Sequence, residues 1–366
     1  MEAEKGSGAA RSDELVRSRG AVVRAGHVCG LLAEGHAWPG HACGLVEEEY
    51  AQFDRVVRNA HTLNGWFVEE EVRHALGGLS EMLAADRVDR WLQAYPTLAE
   101  GPAVSRLVGV VMAGNVPFVG FHDLLCVLLS GHRARVKCSA QDAGLTPALL
   151  RMAVAFLPEL TERVAIVQDK LGRVDALIAT GSDNTARYFH HYFADVPRIV
   201  RRNRVSVALL DGTETDAELA ALGEDIFRYF GLGCRNVSKI FVPHDLDLDR
   251  FFKAIYPWNA IIHHAKYANN YDYHRALWLL EGQAFLENGF LLLKEEKALT
   301  SPVGSVYYER YRDAKEVEET LVALTASVQC RVGHGHVPFG RAQYPGPESY
   351  ADGVDTLAFL KGLQGA

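Results

Sequence analysis

The six cysteines of this chain never form a Cys-x-x-Cys pair, which removes the commonest zinc and dithiol redox frameworks. Scattered at Cys29, Cys43, Cys126, Cys138, Cys234 and Cys330 over 366 residues, they give no disulfide scaffold of the kind that staples a small secreted domain. Positive charge is also in deficit: 38 Lys and Arg against 46 Asp and Glu leave a net charge of -8. No overall basic field attracts a phosphate backbone, so nucleic acid is not an expected partner. The start of the chain lacks a positively charged segment leading into an apolar one. Met1 to Asp13 is polar and rich in Gly, Ala and Glu, so the expectation is a cytoplasmic protein whose short N-terminal tail is disordered. An uninterrupted membrane-length hydrophobic run is missing too. The longest apolar stretch, Leu107 to Leu129, is broken by Asn115, Pro117, His122 and Asp123 and divided by Gly114 and Gly120. It reads as strand, turn and helix buried in protein, not as a membrane span.

What is present suits a globular protein of one large or two ordinary cores: 48% of residues are hydrophobic and 23% charged. The first hundred residues read mainly as helices, with apolar residues at helical spacing over Glu47 to Asn59 and Val68 to Gln93. From Leu107 the pattern changes. Short β-rich runs at Leu107 to Met112, Ala134 to Lys137, Val164 to Val167 and Ala176 to Ala179 alternate with helical segments over Phe118 to Leu129, Pro147 to Leu157 and Asn184 to Phe193. This alternation predicts a parallel sheet covered by helices. Ligands of such sheets sit at the carboxyl ends of strands, where Ala113-Gly114-Asn115 and Thr180-Gly181-Ser182 both fall. A second alternating block runs from Val205 through a helix over Asp216 to Tyr229 and a strand at Ile240 to Val242. It continues with strands at Phe290 to Leu293 and Ser305 to Tyr308 and a helix over Glu316 to Thr325. The polar run Arg198 to Arg204 marks a boundary between two domains near Arg202 and Asn203.

Several residues could carry chemistry. Cys234 follows Gly231 and Gly233 and precedes a polar turn; the glycines allow close backbone approach to a ligand and would present the sulfur as a nucleophile. A buried structural cysteine fits the same string. Asn115, at a strand end between Gly114 and Val116-Pro117, could donate its amide to an oxyanion or simply serve a turn. Lys137 ends the next strand and could meet an anionic ligand or solvent. The turn Thr180-Gly181-Ser182 joins a strand to a helix, so its backbone N–H groups and the Ser182 hydroxyl could accept a phosphate; Ser182 or Asp183 could equally be a helix cap. The run from Ile261 to His274 concentrates His, Lys, Asn and Tyr; no third metal ligand stands at ligand spacing and no metal site is expected, while histidine proton transfer, binding of a thioester carrier and an ordinary polar helix start all fit it. His334 and His336 read as part of a flexible loop.

Taken in order, these segments resemble the aldehyde dehydrogenase superfamily. Gly114-Asn-Val-Pro117 looks like its Asn-bearing strand end, Val136-Lys-Cys-Ser139 like its adenosine-ribose lysine strand, and Thr180-Gly-Ser182 like its cofactor turn. Gly231-Leu-Gly-Cys234 looks like its cysteine loop, and Ser301-Pro302 and Pro338-Phe-Gly340 like its later Gly-Pro and Pro-Phe-Gly segments. Longer strings are similar to the long-chain fatty acyl-CoA reductases of bacterial luminescence (LuxC). They are Ala179 to Phe189, Gly223 to Ser238, Lys266 to Tyr273 and Tyr350 to Thr356.

The resemblance implies an α/β fold, aldehyde dehydrogenase-like, with a Rossmann-like cofactor domain and an α/β catalytic domain. On that reading residues 1–203 hold the N-terminal helices and the nicotinamide-binding domain, and residues 204–330 hold the catalytic domain with its nucleophilic cysteine. Residues 331–366 return to the cofactor domain or to an oligomer interface. The implied roles are catalytic for Cys234 and Asn115 and cofactor-binding for Lys137, Ser139, Thr180, Gly181, Ser182 and Pro302. The implied partners are an acyl-CoA or other acyl thioester, a second copy of the chain in a homo-oligomer, and an acyl-activating or acyl-transferring protein.

Two departures from the superfamily matter. The Glu-Leu-Gly-Gly-Lys-like segment whose glutamate activates water corresponds to about Arg201-Arg-Asn-Arg204, which carries no carboxylate. Oxidation to a free acid is disfavoured, whereas acyl transfer from a good thiol leaving group survives the loss. Ala140 stands where NAD-preferring members often carry Glu, which favours NADPH, with NADH as the alternative cofactor. Three rivals share these residues: an acylating aldehyde dehydrogenase or a reductase of acyl-carrier-protein or acyl-phosphate substrates, a cofactor-independent Cys acyltransferase or thioesterase, and a scaffold subunit.

Overall fold

Apolar runs without polar alternation belong to strands covered on both faces, and Leu107-Val-Gly-Val-Val111 and Ala176-Leu-Ile-Ala-Thr180 form such strands. The protein is described by a computed structural model covering residues 2–142, 144–181 and 183–363. The chain divides into two units: residues up to Arg202 together with those from Pro345 onward, and Asn203–Tyr344.

The first unit begins with helices α1 (Glu2–Ala33), α2 (Glu47–Asn59), α3 (Glu69–Met82) and α4 (Ala85–Gln93). Then β1 (Leu107–Val111), α5 (Phe121–Leu129), β2 (Arg133–Lys137), α6 (Leu145–Phe156), α7 (Leu160–Arg163), β3 (Val164–Ile166), β4 (Ala176–Thr180), α8 (Asp183–Tyr192) and β5 (Arg198–Arg201) alternate. The strands are all parallel, in the order β3-β2-β1-β4-β5. From β1 the chain moves outward through β2 to β3, then crosses back to β4 on the other side of β1. The switch point, where ligands of open α/β sheets bind, therefore lies at the carboxyl ends of β1 and β4.

Two expectations from the sequence need correction, and one boundary gains a strand. The N-terminal stretch to Asp13, expected as a disordered tail, is part of α1, which starts at Glu2. The helix expected over Val68 to Gln93 breaks at Leu83-Ala84, where Ala84 turns to extended backbone. Leu83 is fully buried there, and a Cβ at Gly26 of α1 would stand 2.6 Å from its own Cβ. Packing against α1 thus decides the break, with neither Gly nor Pro at the break itself. The polar run Arg198 to Arg204 contains β5, whose Arg201 is 3% exposed.

A buried guanidinium must be paired, and Arg201 is. Its Nε and Nη2 donate to the two Asp123 carboxylate oxygens of α5 at 3.0 and 2.6 Å. Nη2 also donates to Thr356 Oγ1 at 2.9 Å, and Nη1 to the Ala351 carbonyl. Thr356 opens the C-terminal helix Thr356–Gly362, so this network fastens the end of the chain to the first unit. Trp91 Nε1 donates to the Tyr350 hydroxyl, and Tyr95 donates to Asp355, adding to the same attachment.

In the second unit, β6 (Val205–Leu209), α9 (Asp216–Phe227), β7 (Val237–Pro243), α10 (Leu248–Ala254) and α11 (Ala265–Leu280) precede β8 (Leu286–Glu287), β9 (Leu292–Glu295), β10 (Ser305–Tyr311), α12 (Ala314–Ala323) and β11 (Val328–Val332). The sheet order is β11-β6-β7-β10-β9-β8, parallel except for the β8-β9 pair. Helix α9 starts on a capping box, Thr215 accepting from the Glu218 N–H while Glu218 accepts from the Thr215 N–H. Its Leu219, Leu222, Ile226 and Phe227 enter the core with Val237, Ile240, Val242 and Phe251. Among the described residues, no helix is long and apolar enough to cross a membrane.

Replacing Arg201 with Met strands the Asp123 carboxylate in the interior. Urea unfolding should show a loss of about 3–5 kcal/mol, and the double variant Arg201→Met/Asp123→Leu should recover most of it.

Candidate active site

In the first unit the residues singled out from the sequence line the carboxyl edge of the parallel sheet. Lys137 is the last residue of β2, and its ammonium donates to the Asp169 carbonyl, keeping two further N–H donors. Ser139 follows, its Oγ accepting the Gln141 N–H at 3.2 Å. The loops after β1 and β2 touch at Gly114, where a Cβ would lie 2.6 Å from both the Cβ and Oγ of Ser139. Only glycine permits that approach, and the next residue, Asn115, is exposed. Thr180 ends β4 opposite Arg201 of β5, and Gly181 leads toward α8; Ser182 lies outside the described residues.

In the second unit Cys234 sits on the loop between α9 and β7, and that loop is tightly made. Tyr229, Phe230 and Gly231 all have left-handed backbone, with φ of 53°, 57° and 76°. For each of the two aromatic residues this costs about 1–2 kcal/mol, which surrounding contacts must offset. Both rings are buried, and Phe230 packs 4.2 Å from the His264 ring between centroids.

The loop is clamped by Asn236, which is 2% exposed. Its Oδ1 accepts the Gly233 N–H at 2.7 Å, while Nδ2 donates to the carbonyls of Asp225, Ile226 and Arg228 at the end of α9. Ser206 of β6 donates its hydroxyl to the Cys234 carbonyl at 3.0 Å. Cys234 itself is half-buried. Burial pushes the Cys29 thiol up to about 12 and that of Cys138 to about 11, and raises those of Cys126 and Cys330. These four are held as thiols, poor nucleophiles at neutral pH.

Pro302 lies in a turn whose carbonyl accepts both the N–H and the hydroxyl of Ser305, at 3.1 and 2.8 Å. With Phe230, Gly231 and Tyr267 it lines a cavity of about 30 Å3, room for about one water. The structure thus brings Pro302 beside the start of the cysteine loop, while Lys137, Ser139, Gly114, Thr180 and Gly181 share one edge of the other unit's sheet.

Asn236, Ser206 and Asp225 are absent from the sequence-based candidates. Asp225 is fully buried and accepts the N–H groups of Gly340 and Ala342 at 2.6 and 2.8 Å; burial nevertheless raises its carboxyl to about 6. It fixes the Pro338-Phe-Gly340 segment to α9. No periodicity announces such roles, because each side chain answers backbone groups at a helix end or a loop.

His334, expected in a flexible loop, is clasped by two carboxylates: Nδ1 lies 2.9 Å from Asp211 Oδ2 and Nε2 3.0 Å from Glu218 Oε1. Asp211, Glu214 and His334 are the described His/Cys/carboxylate group close enough to consider for a metal. Its donors are already engaged, since Glu214 accepts the Asp211 and Gly212 N–H groups. The Ile261 to His274 run forms the end of a 3-10 turn and most of α11. Its Tyr267 and Tyr271 hydroxyls donate to the Phe290 carbonyl and to Glu287.

Two α/β units, one a five-stranded parallel sheet with a glycine-cradled switch point and the other carrying a clamped cysteine loop, define an aldehyde dehydrogenase fold. Solved structures share it. PutA of Anabaena variabilis, assigned to the aldehyde dehydrogenases, is 16% identical, with 91% of this chain and 80% of that one covered and a TM-score of 0.57. For HpcC of Thermus thermophilus the values are 13%, 88%, 73% and 0.56. For an aldehyde dehydrogenase of Mycobacterium tuberculosis complexed with NAD+ they are 15%, 89%, 77% and 0.52. No curated protein sequence matches. The sequence model of the acyl-CoA reductase (LuxC) family matches residues 46–255, more than half of the chain, and the chain belongs to that family. It is accordingly an oxidoreductase of the aldehyde-forming acyl-CoA reductase kind.

Two outcomes follow from this geometry. Asn236→Ala should cost about 1–3 kcal/mol in urea unfolding. Asn236→Asp should cost more, because it turns an oxygen toward three carbonyls. Hydrogen bonds that His334 donates to Asp211, and then to Glu218, hold its imidazole up at about 9, so an NMR titration should place its midpoint well above the ordinary histidine range. Since the folded value lies above the unfolded one, the clasp contributes fully below about 6.5 and is lost as pH rises through about 9. Asp211→Asn should lower the midpoint.

Proposed function

We propose that this enzyme reduces an acyl thioester, such as a fatty acyl-CoA, to an aldehyde with NADPH, carrying the acyl group on Cys234. The observation that bears most weight is the half-buried Cys234 on a loop clamped by Asn236 and Ser206. In this reading the first unit binds the cofactor and the second performs the acyl chemistry.

The Cys234 thiolate attacks the thioester carbonyl carbon. A new C–S bond forms, the bond to the carrier breaks, and the carrier leaves as a thiolate that takes up a proton. In this reading the Cys234 backbone N–H donates to the oxygen that gains charge on the way, and Asn115 keeps the oxyanion-donor role that its motif implies. Asn236 and Ser206 keep the cysteine loop from shifting, so no reorganisation is needed when that charge appears. Arg201, in the stretch corresponding to the water-activating glutamate of hydrolytic relatives, is committed to Asp123, which favours reduction of the acyl-enzyme over its hydrolysis.

The residues present fit a nicotinamide cofactor. The Gly114 cradle lets two loops close on one another at the switch point, Lys137 and Ser139 stand beside it, and α8 begins just after Thr180-Gly181. Lys137 and Ser139 would hold the adenosine ribose, Thr180, Gly181 and Ser182 the phosphates, and Pro302 the cofactor at the cysteine loop. When bound, the cofactor supplies the hydride that reduces the acyl group. Ala140 is exposed and uncharged, so a ribose 2'-phosphate meets Lys137 without carboxylate repulsion, which favours NADPH over NADH. Self-association and an acyl-delivering partner protein complete the reading.

NADPH oxidation with a panel of acyl-CoAs, with the aldehyde trapped, tests it. Cys234→Ala should lower turnover by roughly a thousandfold or more. Lys137→Ala should raise the KM for NADPH about tenfold and that for NADH by a smaller factor, because the ribose contact is shared and the 2'-phosphate contact is not. Turnover retained in Cys234→Ala would overturn the reading.

A further inference from the structure

A cavity of about 390 Å3 lies within the first unit, between α2, the turn after it and the segment leading into α6. Its volume falls within the range of small-molecule sites, about 300–1,000 Å3. Gln52, Asn59 and Gln141 on its lining are exposed, so a ligand can enter from solvent, while Phe67, Asp142 and Leu145 on the same lining are buried. The two wall segments touch at Gly144, where a Cβ would stand 2.9 Å from Leu63 Cδ1.

Asp142 is the group that the fold leaves unanswered. It is 2% exposed, and its Oδ2 accepts the Thr146 hydroxyl at 2.6 Å, whereas among the described residues no group donates to Oδ1. A buried carboxylate oxygen without a donor is costly. Burial outweighs the Thr146 hydroxyl and the Phe118 backbone N–H and pushes this carboxyl up to about 7. The charge is not offset by the lining. Arg55, its cationic member, donates to Glu48 at 2.7 Å, and the titratable neighbour that feels Asp142 is the Cys138 thiol, itself raised by burial.

These features select among ligands by charge. A carboxylate or phosphate would be repelled by Asp142, and a plain hydrocarbon would leave Oδ1 as it is. A cationic N–H donor supplies both the missing hydrogen bond and the missing counter-charge.

We propose that this cavity is a binding site for a small organic amine, whose ammonium group donates to Asp142 Oδ1 while its apolar part packs on Val56, Leu63, Phe67 and Leu145. The site is built from the first unit alone and does not depend on the acyl-thioester reading above.

Isothermal titration calorimetry of the full-length protein at about pH 8, where the Asp142 carboxyl is ionised, tests it with benzylamine, benzyl alcohol and benzoate as probes. Benzylamine should bind, benzyl alcohol should bind at least about tenfold more weakly, and benzoate should not bind measurably. Asp142→Asn keeps an acceptor for Thr146 and removes the charge. It should weaken benzylamine binding at least about tenfold and abolish the advantage of the amine over the alcohol. Val56→Trp fills the space and should weaken both probes, and circular dichroism checks that each variant is folded. Should Asp142→Asn not fold, the preference of wild type for the amine and the loss of binding in Val56→Trp carry the test. Absence of benzylamine binding to wild type, equal affinity for amine and alcohol, or benzylamine binding unchanged in the folded variants would overturn the inference. So would complete displacement of benzylamine by saturating NADPH, which would assign the cavity to the cofactor site.

Discussion

A guanidinium that is 3% exposed cannot remain without a counter-charge, and in the first unit the pairing of Arg201 with Asp123 organises much of what surrounds it. Asp123 stands near the start of α5, just after the loop that carries Gly114 and Asn115. Arg201 ends β5, the strand beside β4 and its Thr180-Gly181 turn. The ion pair therefore ties together elements on both sides of the switch point. Thr356 and the Ala351 carbonyl take the remaining donors, so the C-terminal segment closes the network instead of leaving buried N–H groups unmet.

That interaction also explains what the sequence conceals. The parallel sheet is legible because β1 and β4 are continuous apolar runs, and the family is legible because strings such as Gly223 to Ser238 are long and ordered. Strand β5 is hidden because its Arg-Ile-Val-Arg pattern reads as a charged linker; only a partner 78 residues away makes Arg201 an interior residue. The break between α3 and α4 is hidden for a related reason, since the contact that causes it lies on α1.

The cysteine loop shows the same division. Glycines at 231 and 233 signal a turn at the level of sequence, but left-handed Tyr229 and Phe230 do not, because aromatic residues rarely adopt that backbone. Their strain is sustained by buried rings and by Asn236, whose amide serves one N–H and three carbonyls. The proposed nucleophile is thus carried on a strained loop that its neighbours hold in one place. The position of the cysteine is apparent from residue types, whereas the means of holding it are written in hydrogen bonds between residues that carry no recognisable spacing.

The return of residues 345–366 to the first unit bears on how the chain is made. The second unit is one contiguous stretch, and all of it has been synthesised before Thr356 exists. It can complete its sheet while the ribosome is still working, as domains commonly do. The first unit, begun earlier, must wait: Arg201 meets Asp123 early, but its last acceptors, Ala351 and Thr356, are supplied only after the whole second unit has been made. During that interval the earlier-made unit is the unfinished one, and a nascent chain stalled before Thr356 would present the first unit with its closing helix missing.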